Sequence, residues 1–166
     1  MKRHQIFIPV LFLLMLASAC STTKTKKSAP ATTYAEKKIS LTNMEADIIN
    51  YVNEHRRTKN LPSLRLLPVA SSEAARHSAN MASKAVSFGH GGFKQRAIII
   101  ANDLSGTSST GENVAYGKMT AREVVNAWLK SKQHRANIEG KFTHTGVGVA
   151  RNSKGVVYYT EMFVRK

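Results

Sequence analysis

Three ionisable side chains stand in short polar segments where they could do chemistry. His90 lies within Phe88 to Phe93, FGHGGF, between glycines that let the backbone turn sharply and leave the imidazole accessible. Glu112 belongs to a Gly-bounded stretch, GENVAYG, with the amide of Asn113 beside it. His134 ends the run TAREVVNAWLKSKQH that starts at Thr120. Two imidazoles and a carboxylate can hold a divalent metal, zinc most readily, with water completing the shell. They can do general acid–base work near neutral pH. They can also form the polar floor of a groove that binds a ligand without chemistry. A purely structural role stays open beside these: Glu112 bracing a loop through backbone donors, and the histidines hydrogen-bonding across helices. Ser131 adds a further idea. It precedes His134 by three residues, a spacing at which helical side chains touch, and with Glu112 it sketches a Ser–His–Glu triad. No nucleophile-elbow pattern accompanies it. The GHGG turn also lacks the Gly-Lys-Ser/Thr ending of a phosphate loop.

The elements that must position these groups are legible as periodicities. Thr120 and Glu123 have the spacing of a capping box, in which each side chain satisfies an orphan backbone donor. Val124, Val125, Trp128 and Leu129 then form an apolar stripe at helical spacing, with Trp128 in the core. If that helix runs on, Ser131 and His134 lie on the stripe's polar edge. A first helix is expected from Thr42 to about Lys59, with Thr42 and Glu45 as a second capping box. Met44, Ile48, Tyr51 and Val52 form its core face, and His55 lies at the edge of that face. A second helix should start at Pro68, a residue suited to the first helical turn, and run to about Ala85. Its inner face carries Ala70, Ala74, His77 and Met81, and His77 reads as a half-buried, satisfied side chain. Phe93 to Ile100 is a short helix or a strand. Leu104 to Thr110 reads as a loop, and Asn113 to Tyr116 as a strand. Thr145–Arg151 and Val156–Arg165 form a hairpin through Asn152 to Gly155. The second hairpin strand is apolar on both alternating faces, which requires helices on both sides of the sheet. Glu161 reads as a stabiliser of that strand's end.

At 166 residues with 42% hydrophobic side chains, the chain fits one globular domain that needs no staple. A formal charge of +15 favours anionic surfaces such as lipid headgroups and envelope polymers. No RNP, zinc-finger or recognition-helix pattern is present, so no specific nucleic acid is expected. Residues 1–20 read as a signal peptide. Lys2 and Arg3 precede an apolar run, Ile6 to Leu16, that is too short to span a bilayer. Cys20, the single cysteine, follows Ala17-Ser18-Ala19 and resembles a lipobox end, with Ala17 where that motif usually has Leu. Lipidation of Cys20 would tether the protein to the cell envelope, at the outer membrane in a Gram-negative host, where Ser21 suits sorting. The alternative is a secreted or periplasmic protein cleaved after Ala-x-Ala. Residues 21–41 form a flexible basic linker with five lysines.

The motifs together resemble the CAP superfamily of cysteine-rich secretory, antigen five and pathogenesis-related proteins, in its bacterial SCP-like branch. The resemblance rests on GH at His90, GEN at Gly111 to Asn113, and WLKS at Trp128 to Ser131 followed by HRANI at His134 to Ile138. It also rests on GVG at Gly146 to Gly148 and YYTEMF at Tyr158 to Phe163. It covers residues 42–166 and implies an α+β fold. That fold is a three-layer α-β-α sandwich around a small central, mainly antiparallel sheet. It implies a cleft lined by His90, Glu112 and His134. The second acid of many family members would fall three residues after Trp128, where this chain has Ser131. Glu161 stands where the family often has Gln. The resemblance implies binding of a metal, or of a small or lipidic ligand, through His90 and His134 with Glu112 and Ser131 at the site. The alternative it implies is a peptidase-like hydrolase acting on peptide or envelope polymer through His90, Glu112 and His134.

Overall fold

A computed structural model describes residues 43–105 and 109–166. The leader, Cys20, the linker and Thr42 therefore lie outside the described residues. The elements follow the order α1 (Met44–Thr58), β1 (Arg65–Leu66), α2 (Pro68–Ala82), α3 (Phe93–Asp103) and β2 (Ser109–Gly117). Then come α4 (Ala121–Lys130), α5 (Lys132–Ile138), β3 (His144–Arg151) and β4 (Val157–Arg165). The ambiguous Phe93 segment is thus helical, and β2 is longer than the expected Asn113–Tyr116.

The sheet order is β1-β3-β4-β2. β4 pairs antiparallel with both β3 and β2, and the two-residue β1 pairs parallel with β3. The sheet is mixed, with its long pairings antiparallel. β4 is buried along nearly its whole length, as its two-sided apolar pattern requires. Val157, Tyr159 and Phe163 pack under α1 and α4 with Ile48, Val52, Val124 and Trp128. Met162 and Val164 point the other way, against Ala70, Ala74 and Ile100 of α2 and α3. These are the two outer layers of the sandwich, and the expected α+β three-layer fold is present.

α2 comes closest to the sheet. Its Ala- and Ser-rich inner face lies on Gly146 and Gly148 of β3, where there is no room for a β-carbon. Ser78 Oγ sits 2.8 Å from the Gly148 carbonyl and 2.9 Å from the Thr160 hydroxyl, so this polar contact is satisfied inside the seam.

Two helix ends differ from expectation. Asn43, in a left-handed conformation at φ 66°, occupies the cap of α1 without a side-chain hydrogen bond. Thr42, the expected box partner of Glu45, lies outside the described residues; Glu45 Oε1 accepts from the Val149 N–H at 3.1 Å and ties α1 to β3. The run from Thr120 to His134 is two helices. Ser131 leaves helical geometry at φ −87°, ψ 123°, ending α4 and capping α5. The Thr120–Glu123 capping box forms as expected.

Arg56 of α1 is buried, and its guanidinium donates to four backbone carbonyls. Nε reaches Pro62 at 2.8 Å, Nη1 reaches Ile138 at 2.7 Å and Gly140 at 2.9 Å, and Nη2 reaches Phe142 at 3.3 Å. It pins the segment after α5 to the core. His55 lies at the helix edge as expected, with Nε2 2.8 Å from Glu139 Oε1.

Candidate functional site

β2 is an edge strand, and its alternation sends neighbouring residues to opposite faces. Glu112 points toward α3 and the His90 turn. Asn113 points toward α5, donating from Nδ2 to the His134 carbonyl at 3.1 Å. Asn137 completes the clamp, donating to the Glu112 carbonyl at 3.1 Å and to Asn113 Oδ1 at 2.8 Å. The GEN motif is therefore a two-sided joint. Its acid serves one layer and its amide fastens the other.

The Glu112 side chain is 1% exposed and both oxygens are engaged. Oε1 lies 2.8 Å from His90 Nδ1. Oε2 accepts from Arg96 Nε at 2.8 Å and lies 2.6 Å from Arg96 Nη2. A carboxylate held by a buried arginine only accepts, so His90 Nδ1 carries the hydrogen of that bond. Nε2 is left with its lone pair, on a ring that remains 53% exposed. This is the arrangement in which a carboxylate orients a histidine for ligation or proton transfer.

The turn itself is propped from below. Gly89 (φ 136°) and Gly92 (φ 74°) take backbone conformations that other residues avoid. His77 of α2 lies with Nε2 2.8 Å from the Gly89 carbonyl, and Arg96 Nη1 donates to the Gly91 carbonyl at 2.9 Å. His77 is buried, and burial chiefly lowers its pKa below the ordinary imidazole value. It is a satisfied structural side chain, as its place in the α2 pattern suggests. Arg96 was not anticipated. The available signal was a cation inside the apolar run RAIII, on a helix whose exposed face did not need it.

His134 sits in the first turn of α5. Burial, then the nearby charge of His90, lower its pKa, so the ring is neutral at neutral pH. Among the described residues its imidazole has no hydrogen-bond partner. Ser131 does not touch the imidazole. Its Oγ accepts from the His134 backbone N–H at 3.5 Å as the cap of α5. The triad is not assembled: Glu112 is bonded to His90 and Arg96, and Ser131 is spent on the helix end. Among the described residues no three His, Cys, Asp or Glu side chains are grouped to hold a metal. What the structure offers is one oriented imidazole and one neutral imidazole within its electrostatic reach. Glu112 stands behind the first and is not itself free to ligate.

The cysteine-rich secretory protein family model matches residues 49–163. The protein YkwD of Bacillus subtilis is 31% identical over 147 residues, which is 87% of this chain and 52% of YkwD. The chain thus spans about half the length of that curated relative. The SCP-domain extracellular protein from Bacillus anthracis aligns at TM-score 0.64 and 28% identity, covering 75% of this chain and 41% of that one. An outer surface protein from Borrelia burgdorferi shares the fold at TM-score 0.62 and 21% identity, covering 72% of this chain and 90% of that one. With the GH turn, the GEN joint, the α4–α5 pair and most of the β3–β4 hairpin inside the matched segment, this chain belongs to the CAP family.

Proposed function

We propose that the protein is exported to the cell envelope and that the His90–His134 edge is a binding site. Its ligand would be a divalent metal such as zinc, or a small or lipidic ligand that uses the same two imidazoles. One observation carries this reading: Glu112, saturated by Arg96, fixes the His90 tautomer so that Nε2 is the free nitrogen. His134, kept neutral chiefly by burial, lies within electrostatic reach of His90. Two imidazoles would hold the ion and leave its remaining positions open to water or ligand. The hydrolase alternative has less support, because Ser131, the nucleophile it would use, serves as the cap of α5. Export is supported by the leader-like sequence and by the extracellular and outer-surface relatives. Among the described residues no helix is long and apolar enough to cross a membrane. Attachment would fall to a diacylglycerol on Cys20. Labelled palmitate should enter the wild type and not Cys20→Ala, and equal labelling of the two would remove the anchor.

Calorimetric titration with zinc tests the site. His90→Ala and His134→Ala should each abolish measurable binding. Glu112→Gln should weaken it by roughly 10–100-fold through loss of ring orientation. Ser131→Ala should leave binding intact while costing about 1 kcal/mol of stability as a lost cap. Ligation needs neutral rings, so affinity should fall as pH drops through the histidine range. Wild-type affinity in both histidine variants would refute the shared site.

A further inference from the structure

One end of the sandwich carries a different surface. The last row but one of the sheet runs Ala150–Tyr158–Tyr116 across β3, β4 and β2. α2 stops at Ala82, and Ala150 and Tyr158 in this row are only half-buried. Tyr116 is 57% exposed and stacks on Tyr158 with centroids 5.8 Å apart. Phe88, 48% exposed, meets Tyr116 edge-on at 4.7 Å. The result is an aromatic ridge of two phenols and one phenyl, projecting where a soluble surface has no need of it.

Cations surround the ridge. A cavity of about 500 Å³ between the end of α2 and the β3–β4 turn is lined by Lys84, Arg151 and Lys154, and no acidic residue lines it. Lys118 follows β2 and lays its stem beside Gly155 of the same turn. α1 also begins toward this end of β3, since Glu45 accepts from Val149. The described chain therefore starts beside this end. The basic segment with Lys24, Lys26, Lys27, Lys37 and Lys38 precedes that point in sequence.

We infer that this end of the domain docks onto an anionic phospholipid surface. Phe88 and Tyr116 enter the interfacial region, and Lys84, Lys118 and Lys154 lie at the headgroups. Aromatic rings with polar tips favour the bilayer interface, where one end is apolar and the other wet. Lysines near an anionic leaflet add an attraction that salt screens. A ridge with its ring faces packed against one another suits insertion better than stacking on a soluble polymer. The inference rests on the proposal that the protein works at the envelope, and it is independent of the His90 site.

Hydrogen exchange on the full chain carrying Cys20→Ser tests it, because no acyl chain can contribute and the readout is local. Vesicles of phosphatidylglycerol and phosphatidylcholine should slow exchange in residues 84–90, 114–118 and 151–156, and pure phosphatidylcholine should not. Phe88→Ser with Tyr116→Ser should remove that protection. Lys84→Glu and Lys154→Glu should each weaken vesicle partitioning roughly fivefold or more. Unchanged exchange in these segments while the chain is vesicle-bound overturns the inference. Equal protection by soluble polyphosphate that survives the aromatic substitutions also overturns it, in favour of a soluble polyanion. Zinc binding by the same protein sample reports separately on the His90–His134 proposal.

Discussion

Gly148→Ala is expected to lower the melting temperature by about 10 °C or more, an effect of about 3 kcal/mol or more in a domain of this size. The reason is contact between two backbones. A β-carbon on Gly148 would overlap the backbone N and Cα of Ala75, and one on Gly146 would overlap the backbone of Ala70 and Ser71. A flexible side chain could swing away, but a helix backbone can only move as a body. Lifting α2 would pull Ser78 from the Gly148 carbonyl and Thr160, and would open the cluster of Leu67, Ala70, Ala74, Ile100 and Met162. It would also displace His77 from the Gly89 carbonyl and so disturb the His90 turn. Gly91→Ala is the control, because open space surrounds that position and its stability should shift by no more than about 0.5 kcal/mol. Thermal melts of the two variants decide the matter. If Gly148→Ala melts with the wild type, the close seam between α2 and β3 is wrong.

Those glycines show what a sequence makes legible and what it hides. GVG was recognisable as a family motif, and the small residues of α2 announced a close approach, but their pairing across 70 residues is a tertiary fact. The helical stripes of α1, α2 and α4 were readable because burial imposes a 3.6-residue period on side-chain type. The break at Ser131 was not, since a serine inside a polar run carries no periodicity. Ser-x-x-His does have cap spacing, and that weaker signal turned out to describe the local structure. Of the candidate site, His90 and Glu112 come together as their motifs implied, and His134 lies within electrostatic reach. Arg96, which holds Glu112, was obscured because one cation in a helix ordinarily reads as a solvated side chain. Arg56 was hidden in the same way between His55 and Arg57. Its role depends on the carbonyls of Pro62, Ile138, Gly140 and Phe142, which become neighbours only after folding.

Glu161 was misplaced in a more instructive way. Its signal was present, an acid inside a strand apolar on both faces, yet it reads from sequence as a strand-end residue. It lies in the middle of β4, fully buried, opposite Asn113 of β2 and Val147 of β3. Its Oε1 is 3.0 Å from Thr145 Oγ1, which is itself 2.9 Å from the Met162 carbonyl. Thr145 has one hydrogen for these two acceptors, and a protonated Glu161 resolves the conflict by donating to Thr145. Among the described residues Oε2 has no hydrogen-bond partner. Burial pushes this carboxyl up to about 8, against smaller opposing effects of Thr145 and the Arg56 charge.

The stability consequence has a definite sign. Between the ordinary carboxyl value near 4.5 and about 8, the folded chain holds a proton that the unfolded chain has released. The stabilising contribution is therefore full below about 4.5, declines as pH rises, and is gone above about 8, with a total on the order of 5 kcal/mol. His77 and His134 act in the opposite sense. Their lowered values give stability that is present above 6.5 and lost as pH falls through their folded range. The window from 6.5 to 8 isolates Glu161. Glu161→Gln keeps the shape without the charge, so it should approach wild-type stability near pH 5 and exceed it by a few kcal/mol at pH 9. Its stability should stay nearly flat between 6.5 and 8, where the wild type declines. Urea unfolding midpoints at pH 5, 6.5, 8 and 9 measure this directly. Parallel curves for the two proteins would mean that Glu161 is ionised in the folded state across the whole range, with the Arg56 charge compensating it.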